Sequence, residues 1–200
     1  MLIECLPTGM IDSNCYIVYD NNEGIIIDAG VDTSEVLNVL NEKKINIKYI
    51  VLTHIHIDHI CHVDELREKT GAKVLVHKND SEKLLDPMLN GSGFFGQKTS
   101  FKPADRVLED NDEISAGGIN FKIIHTPGHS SGSICIKGEN NLFTGDTLFK
   151  MGRGRTDLGD GNERDILSSI KKRLMTFDDE TVVYPGHGDS TTIGAEKVFY

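Results

Sequence analysis

Thr53-His54-Ile55-His56-Ile57-Asp58-His59 sets three imidazoles and one carboxylate within seven residues. That density of metal-donor side chains marks a candidate metal site. On its N-terminal side, Tyr49-Ile50-Val51-Leu52 is a short apolar run, partly β-branched, that predicts a buried strand. On its C-terminal side, Val63 and Leu66 among Asp64, Glu65, Arg67, Glu68 and Lys69 predict an amphipathic helix closed by Gly71. The donors therefore sit on a strand-to-helix turn. His54 and His56, two apart in extended chain, point the same way, whereas Asp58 and His59 at the start of the helix are aimed elsewhere. One cation would struggle to use all four donors; two neighbouring cations could.

At 200 residues the chain is sized for one domain, spanning 1–200, with enough residues to bury a full core. Cys5, Cys15, Cys61 and Cys135 show no C-x-x-C spacing, so neither a disulfide framework nor a thiolate zinc site is expected, and a reducing cytoplasm is. Met1-Leu2-Ile3-Glu4-Cys5 lacks a basic stretch followed by an apolar run, and no apolar segment approaches the roughly 18 residues that span a bilayer. The expectation is a cytoplasmic protein with no membrane partner. A formal net charge of −10 also argues against nucleic acid, whose affinity comes mainly from phosphate neutralisation. Nothing in the sequence fixes the oligomeric state.

Further strands are expected over Leu2–Leu6, Cys15–Tyr19, Gly24–Ile27, Val74–His77, Phe121–Ile124, Ile134–Ile136, Leu142–Thr144 and Thr181–Tyr184. Asp32-Thr33-Ser34-Glu35 predicts a capping box ahead of a helix with Val36, Leu37, Val39 and Leu40 on one face. Asn162-Glu163-Arg164-Asp165 predicts another helix start, followed by Ile166, Ile170 and Leu174 at spacing four. Neither strict strand-helix alternation nor pure hairpins fit, which favours two mixed sheets packed together with helices outside. The stretch from Asp86 to Pro103, with Phe94-Phe95 among glycines, lacks a periodic signal. Loops of that length are uncommon unless functional or mobile, but the expectation is a plain surface connection between the two halves.

Three more donors each end a predicted strand beside glycine: His129 in Thr126-Pro127-Gly128-His129-Ser130, Asp146 in Thr144-Gly145-Asp146-Thr147, and His187 in Pro185-Gly186-His187-Gly188. Any one alone would be an ordinary core or surface residue. Together with the seven-residue run they describe a site built from loops at one edge of a scaffold.

The pattern His54-x-His56-x-Asp58-His59, then His129, Asp146 and His187, resembles the metallo-β-lactamase superfamily over nearly the whole chain. Ile26-Ile27-Asp28-Ala29-Gly30 is similar to that family's first motif. The phrases around His129, Asp146 and His187, with Gly154-Arg155-Thr156-Asp157, look most like the short glyoxalase II-like hydroxyacylglutathione hydrolases. The resemblance implies an α+β fold, an αββα sandwich of two mixed sheets, with the site at one edge. It implies that His54, His56 and His129 hold one metal, that Asp58, His59 and His187 hold the other, and that Asp146 bridges them, with Asp28 behind the ligands. Two divalent ions suit this set: a single zinc with seven ligands would exceed the usual four. Zinc is expected first, and iron and manganese also accept these donors.

The implied activity is hydrolysis of an acyl thioester such as S-hydroxyacylglutathione, by water that the cations bring to ionise near neutral pH, with Asp58 orienting it or taking its proton. Lys150, Arg153 and Arg155 are candidates to grip a carboxylate of the thiol carrier, a solvated basic turn being the alternative. Longer glyoxalase II enzymes add a C-terminal helical domain that binds glutathione; this sequence ends at Tyr200, which leaves the carrier open. Where the family usually has glycine, Cys61-His62 follows, and both are expected to be tolerated without joining the site. His77 and His125 are expected to be structural or to support a ligand from behind. A β-lactamase of this superfamily is expected to carry cysteine where Asp146 stands, and an RNA-cleaving member a basic surface or added domain. A mononuclear iron persulfide dioxygenase, a lactone or ester hydrolase, and a metal-binding module without turnover complete the alternatives.

Overall fold

Alternation within single strands decides how the layers stack. In the strand Cys15–Asp20, Cys15, Ile17 and Tyr19 join one buried cluster while Tyr16 and Val18 join another, so both faces of the strand are covered. The computed structural model describes residues 1–96 and 98–200. Its first sheet runs in chain order through Leu2–Leu6 (β1), Cys15–Asp20 (β2), Glu23–Ile27 (β3), Asn46–Val51 (β4), Lys73–His77 (β5) and Arg106–Leu108 (β6). The pairs β1–β2 and β2–β3 are antiparallel; β3 to β6 are parallel.

The second half supplies Glu113–Ala116 (β7), Ile119–His125 (β8), Ile134–Gly138 (β9), Asn141–Gly145 (β10), the small hairpin Leu148–Phe149 (β11) with Gly152–Arg153 (β12), Val182–Pro185 (β13) and Thr191–Thr192 (β14). Its six-stranded sheet has the order β14-β13-β10-β9-β8-β7, antiparallel except for the β10–β13 pair. Tyr16, Val18, Ile25, Ile27, Val51 and Leu75 of the first sheet meet Phe121, Ile123, Ile134, Ile136 and Phe143 of the second. This is the middle layer.

The other face of the first sheet takes the helices Thr33–Lys43 (α1) and Val63–Thr70 (α3) through Val36, Leu40, Val63 and Leu66. The other face of the second takes Ile166, Ile170 and Leu174 from the helix Glu163–Ser169 and the π-turn Ile170–Leu174 that continues it. The architecture is the αββα sandwich that the motifs imply. Caps behave as the sequence predicts, with one change. Asp32 accepts from Ser34 N–H and Asn162 from Arg164 and Asp165 N–H, but Glu35 turns outward to accept from Thr8 Oγ1 at 2.8 Å instead of closing a capping box. Among the described residues no helix is long and apolar enough to cross a membrane.

Candidate metal centre

Every candidate donor stands just past the C-terminal end of a strand, all at one edge of the sandwich. Asp28 follows β3, the His54–His59 turn follows β4, His129 follows β8, Asp146 follows β10 and His187 follows β13. Neighbouring parallel strands end side by side, which is how residues distant in sequence converge. Asp58 and His59 lie in the one-turn helix Ile57–Ile60 (α2), pinned to the β3 loop by Ala29 N–H to His59 O (2.6 Å) and His62 N–H to Ala29 O (2.9 Å). Gly30 permits that approach: a Cβ there would lie 1.9 Å from Asp58 O.

Donor atoms gather in three groups within 4.8 Å of one another: His54 with His56 and His129, Asp58 with His59 and His187, and Asp28 with His54 and His59; in the last, Asp28 lies behind the rings, bonded to His59 Nδ1. His56 Nδ1 stands 2.8 Å from His129 Nε2, and His59 Nε2 stands 3.1 Å from His187 Nε2. Asp146 lies between the first two groups. Its Oδ1 is 3.4 Å from His59 Nε2 and its Oδ2 is 3.6 Å from His129 Nε2.

Outer hydrogen bonds fix which nitrogen each ring presents inward. His129 Nδ1 donates to the Arg155 carbonyl (2.8 Å) and His59 Nδ1 to Asp28 Oδ2 (2.9 Å). Thr53 Oγ1 spends its proton on Asp28 Oδ2 (2.8 Å), so it accepts from His54 Nδ1 (3.1 Å). Each ring is thus left with Nε2 facing inward, and an outer partner of this kind is characteristic of metal-ligating histidine. His54 Nε2 and Asp146 Oδ1 are buried with no hydrogen-bond partner. Buried acceptors without a partner are costly unless a cation satisfies them. The donor set fits divalent metal.

Charge in the metal-free protein agrees with this. Burial, then the neighbouring imidazoles, holds His54 well below the usual imidazole range. Burial followed by His129 takes His56 down to about 4. Burial opposes a proton on His59, but the Asp146 and Asp28 charges outweigh it and raise that ring well above its usual value. His187 is raised too, burial being outweighed by its bond to Asp58 and the Asp146 charge. The two carboxylates sit low: burial works against each, and the bonds from His187 and His59 to Asp58, and the charge of His59 on Asp146, prevail. A proton on His59 thus stands where a cation would, and metal binding must expel it. Affinity is expected to rise with pH across the neutral range, about tenfold per pH unit for each proton released. Chelator competition at pH 6, 7 and 8 checks this, and a pH-independent affinity would refute it.

Asp28 touches no inward atom. Its carboxylate accepts from Thr53 N–H (2.7 Å), Thr53 Oγ1 and His59 Nδ1, so it orients two rings from behind. Asp28→Asn keeps a residue that tolerates the positive φ of 60° here but removes the charge behind His59. Metal affinity is expected to fall about 10–100-fold, read by competition with a chromophoric chelator; unchanged affinity would remove Asp28 from this role.

The other candidates sort clearly. Arg155 lines the cavity above the donors, but its guanidinium is held by both oxygens of Asp157 at 2.6 and 2.7 Å. Lys150 and Arg153 are not among its lining residues; they pair with Asp189 and Glu163, an arrangement compatible with the basic-turn alternative. Cys61 donates to Gly30 O (3.4 Å) and His62 faces Glu65, both outside the donor groups. His77 and His125 stack on each other at 4.0 Å, bonded to Asn79 N–H and Ser131 O rather than to any ligand, so their role is structural.

The Asp86–Pro103 stretch, besides connecting the two halves, supplies part of the cavity wall. Met88, Leu89, Gly91, Phe94 and Phe95 line the cavity, together with Ile11 and Leu158. Gln97 lies outside the described residues. The one available sequence signal was the Phe94-Phe95 pair in a polar, glycine-rich stretch; Ile11 and Leu158 had none.

The model of the metallo-beta-lactamase superfamily matches residues 8–187. Hydroxyacylglutathione hydrolase GloC of Haemophilus influenzae is 32% identical over 202 residues, covering 98% of this chain and 95% of that protein. Among solved structures, BLEG-1 B3 metallo-beta-lactamase is 37% identical with a TM-score of 0.94, covering 98% of this chain and 97% of that one. TTHA1623 in a di-iron-bound form is 29% identical with a TM-score of 0.86, covering 98% and 97%. A family match across the donor-bearing loops, on the fold just described, has one reading: this chain belongs to the metallo-β-lactamase superfamily.

Proposed function

We propose that the protein is a two-cation hydrolase of acyl thioesters, with S-hydroxyacylglutathione the first substrate to test. The observation that carries this reading is a cavity of about 420 Å³ whose floor is His56, Asp58, His129, Asp146 and His187. His54, His56 and His129 would hold one cation, Asp58, His59 and His187 the other, with Asp146 shared. Bound there, such a pair would bring water to ionise near neutral pH and polarise a carbonyl. No serine, cysteine, lysine or tyrosine is among the cavity's described lining residues, and its carboxylates and imidazoles are the proposed cation ligands, so water is the attacking group of this reading. Asp58 faces the cavity and is placed to orient that water and accept its proton. A thiolate leaves without an acid because its pKa is only about 8.5, which suits a site with no free proton donor beside the carboxylates. The likeness to GloC supports the same chemistry.

The likeness to BLEG-1 favours a second reading, opening of a β-lactam, against the expectation drawn from Asp146. The test loads the protein with zinc, iron(II) or manganese and assays S-lactoylglutathione, other acyl thioesters, a chromogenic cephalosporin, and oxygen uptake with glutathione persulfide. Thiol release with kcat/KM above about 10⁴ M⁻¹s⁻¹ is the expected result. Preference for the cephalosporin would install the second reading, and oxygen consumption would reject hydrolysis.

A further inference from the structure

Around the donors, the cavity wall is apolar. Ile11, Met88, Leu89, Phe94, Phe95 and Leu158 come from three separate segments, and the first five remain exposed, Phe94 to 65% and Met88 to 59%. The Asp86–Gly96 loop inverts the usual partition of side chains. Its Asn90 and Ser92 are fully buried. Asn90 Nδ2 donates to Leu84 O (3.1 Å) and Thr99 O (2.9 Å), and its Oδ1 accepts from Ser92 N–H (2.9 Å). Polar groups are thus spent on holding the loop in shape while its large apolar groups face the cavity. Ile11 is held at φ 57° and ψ 33°, a costly conformation for a β-branched residue. A contiguous exposed apolar surface of this kind marks a binding site.

Charge points the same way. Arg155, the cation on the wall, is committed to Asp157, and its neighbours Lys150 and Arg153 to Asp189 and Glu163. Away from the proposed cations on the floor, a second carboxylate on the substrate would meet no unpaired cationic side chain among the cavity's described residues.

We propose that the substrate's acyl group is bulky and apolar, a medium-length alkyl or aryl chain, and that Ile11, Phe94 and Phe95 select it. This rests on the thioester reading. The test measures kcat/KM for acetyl, butyryl and hexanoyl thioesters of uncharged N-acetylcysteamine, alongside S-lactoylglutathione and acetyl thioesters of longer alkyl thiols. Each added acyl methylene is expected to give roughly fourfold, on the order of 100-fold from acetyl to hexanoyl. Phe94→Ala with Phe95→Ala should reduce that span to less than about tenfold; both side chains are exposed, so folding is not at stake. In parallel, calorimetry on the metal-loaded protein with acetate, butyrate and hexanoate should show the same stepwise tightening without turnover.

A flat acyl series, gains that follow the thiol instead, or preference for S-lactoylglutathione would overturn the inference while leaving thioester hydrolysis standing. Tightening carboxylates with no thioester cleaved would overturn the thioester reading and keep the apolar acyl site for another acyl substrate.

Discussion

Asp146→Ala is expected to leave the protein folded, to abolish stoichiometric metal binding and to lower turnover at least roughly a thousandfold, or about 4 kcal/mol of transition-state stabilisation. The reason is position. Asp146 lies against both proposed ligand groups, Oδ1 3.4 Å from His59 Nε2, and Oδ2 3.6 Å from His129 Nε2 and 3.7 Å from His187 Nε2. Without it, the five imidazoles and Asp58 would have to accept two dications with a single carboxylate to offset them, and like-charge repulsion rises steeply in a buried site. Asp146→Asn separates shape from charge. It keeps an oxygen acceptor but not the anion, so it should retain weak metal binding and remain strongly impaired. Circular dichroism and thermal unfolding identify simple misfolding, because the three apolar layers do not depend on this side chain. Wild-type metal content and turnover in Asp146→Ala would reject the shared-ligand assignment.

Gly186→Ala is the second large effect, and it adds only one methyl group. A Cβ at Gly186 would lie 2.2 Å from Asp146 Oδ1 and 2.8 Å from His59 Cε1. The backbone has no room to retreat: Gly186 N–H donates to Gly145 O (2.8 Å) and its carbonyl accepts from Asn14 N–H (2.7 Å). Asn14 and Tyr16 also hold the adjacent Pro185 carbonyl, at 3.0 and 2.7 Å. The methyl must therefore displace Asp146 and His59, both of which would hold the proposed second cation. Displacing catalytic geometry by about 1 Å costs on the order of 100-fold, and kcat/KM is expected to fall by that much or more. Metal analysis should show partial loss. Full activity in Gly186→Ala would mean that Asp146 and His59 do not act from these positions.

The donors could be read from the sequence because four crowd into one seven-residue run and His129, Asp146 and His187 each stand beside glycine at the end of an apolar run, both local patterns. The longer strands were legible as apolar, β-branched runs; that the residues of Cys15–Asp20 divide between two buried clusters is seen only in the structure. The shortest strands were not legible. Arg106–Leu108 has three residues, two of them exposed, too few for any period to register. The role of Lys150 and Arg153 depended on Asp189 and Glu163, carboxylates far enough along the chain that no local pattern announces them. The cavity wall was hidden for a further reason. What turns Phe94 and Phe95 outward is the burial of Asn90 and Ser92, side-chain bonding within a loop, to which hydrophobic periodicity is blind.

The central claim is that seven side chains from four strand ends hold two cations. Anomalous diffraction from crystals of the metal-loaded protein tests it most directly. The account predicts two peaks roughly 3.5–4 Å apart. One should lie about 2.0–2.2 Å from the donor atoms of His54, His56 and His129, the other equally close to Asp58, His59 and His187, with Asp146 reaching both. A single peak, or peaks away from these atoms, would contradict it.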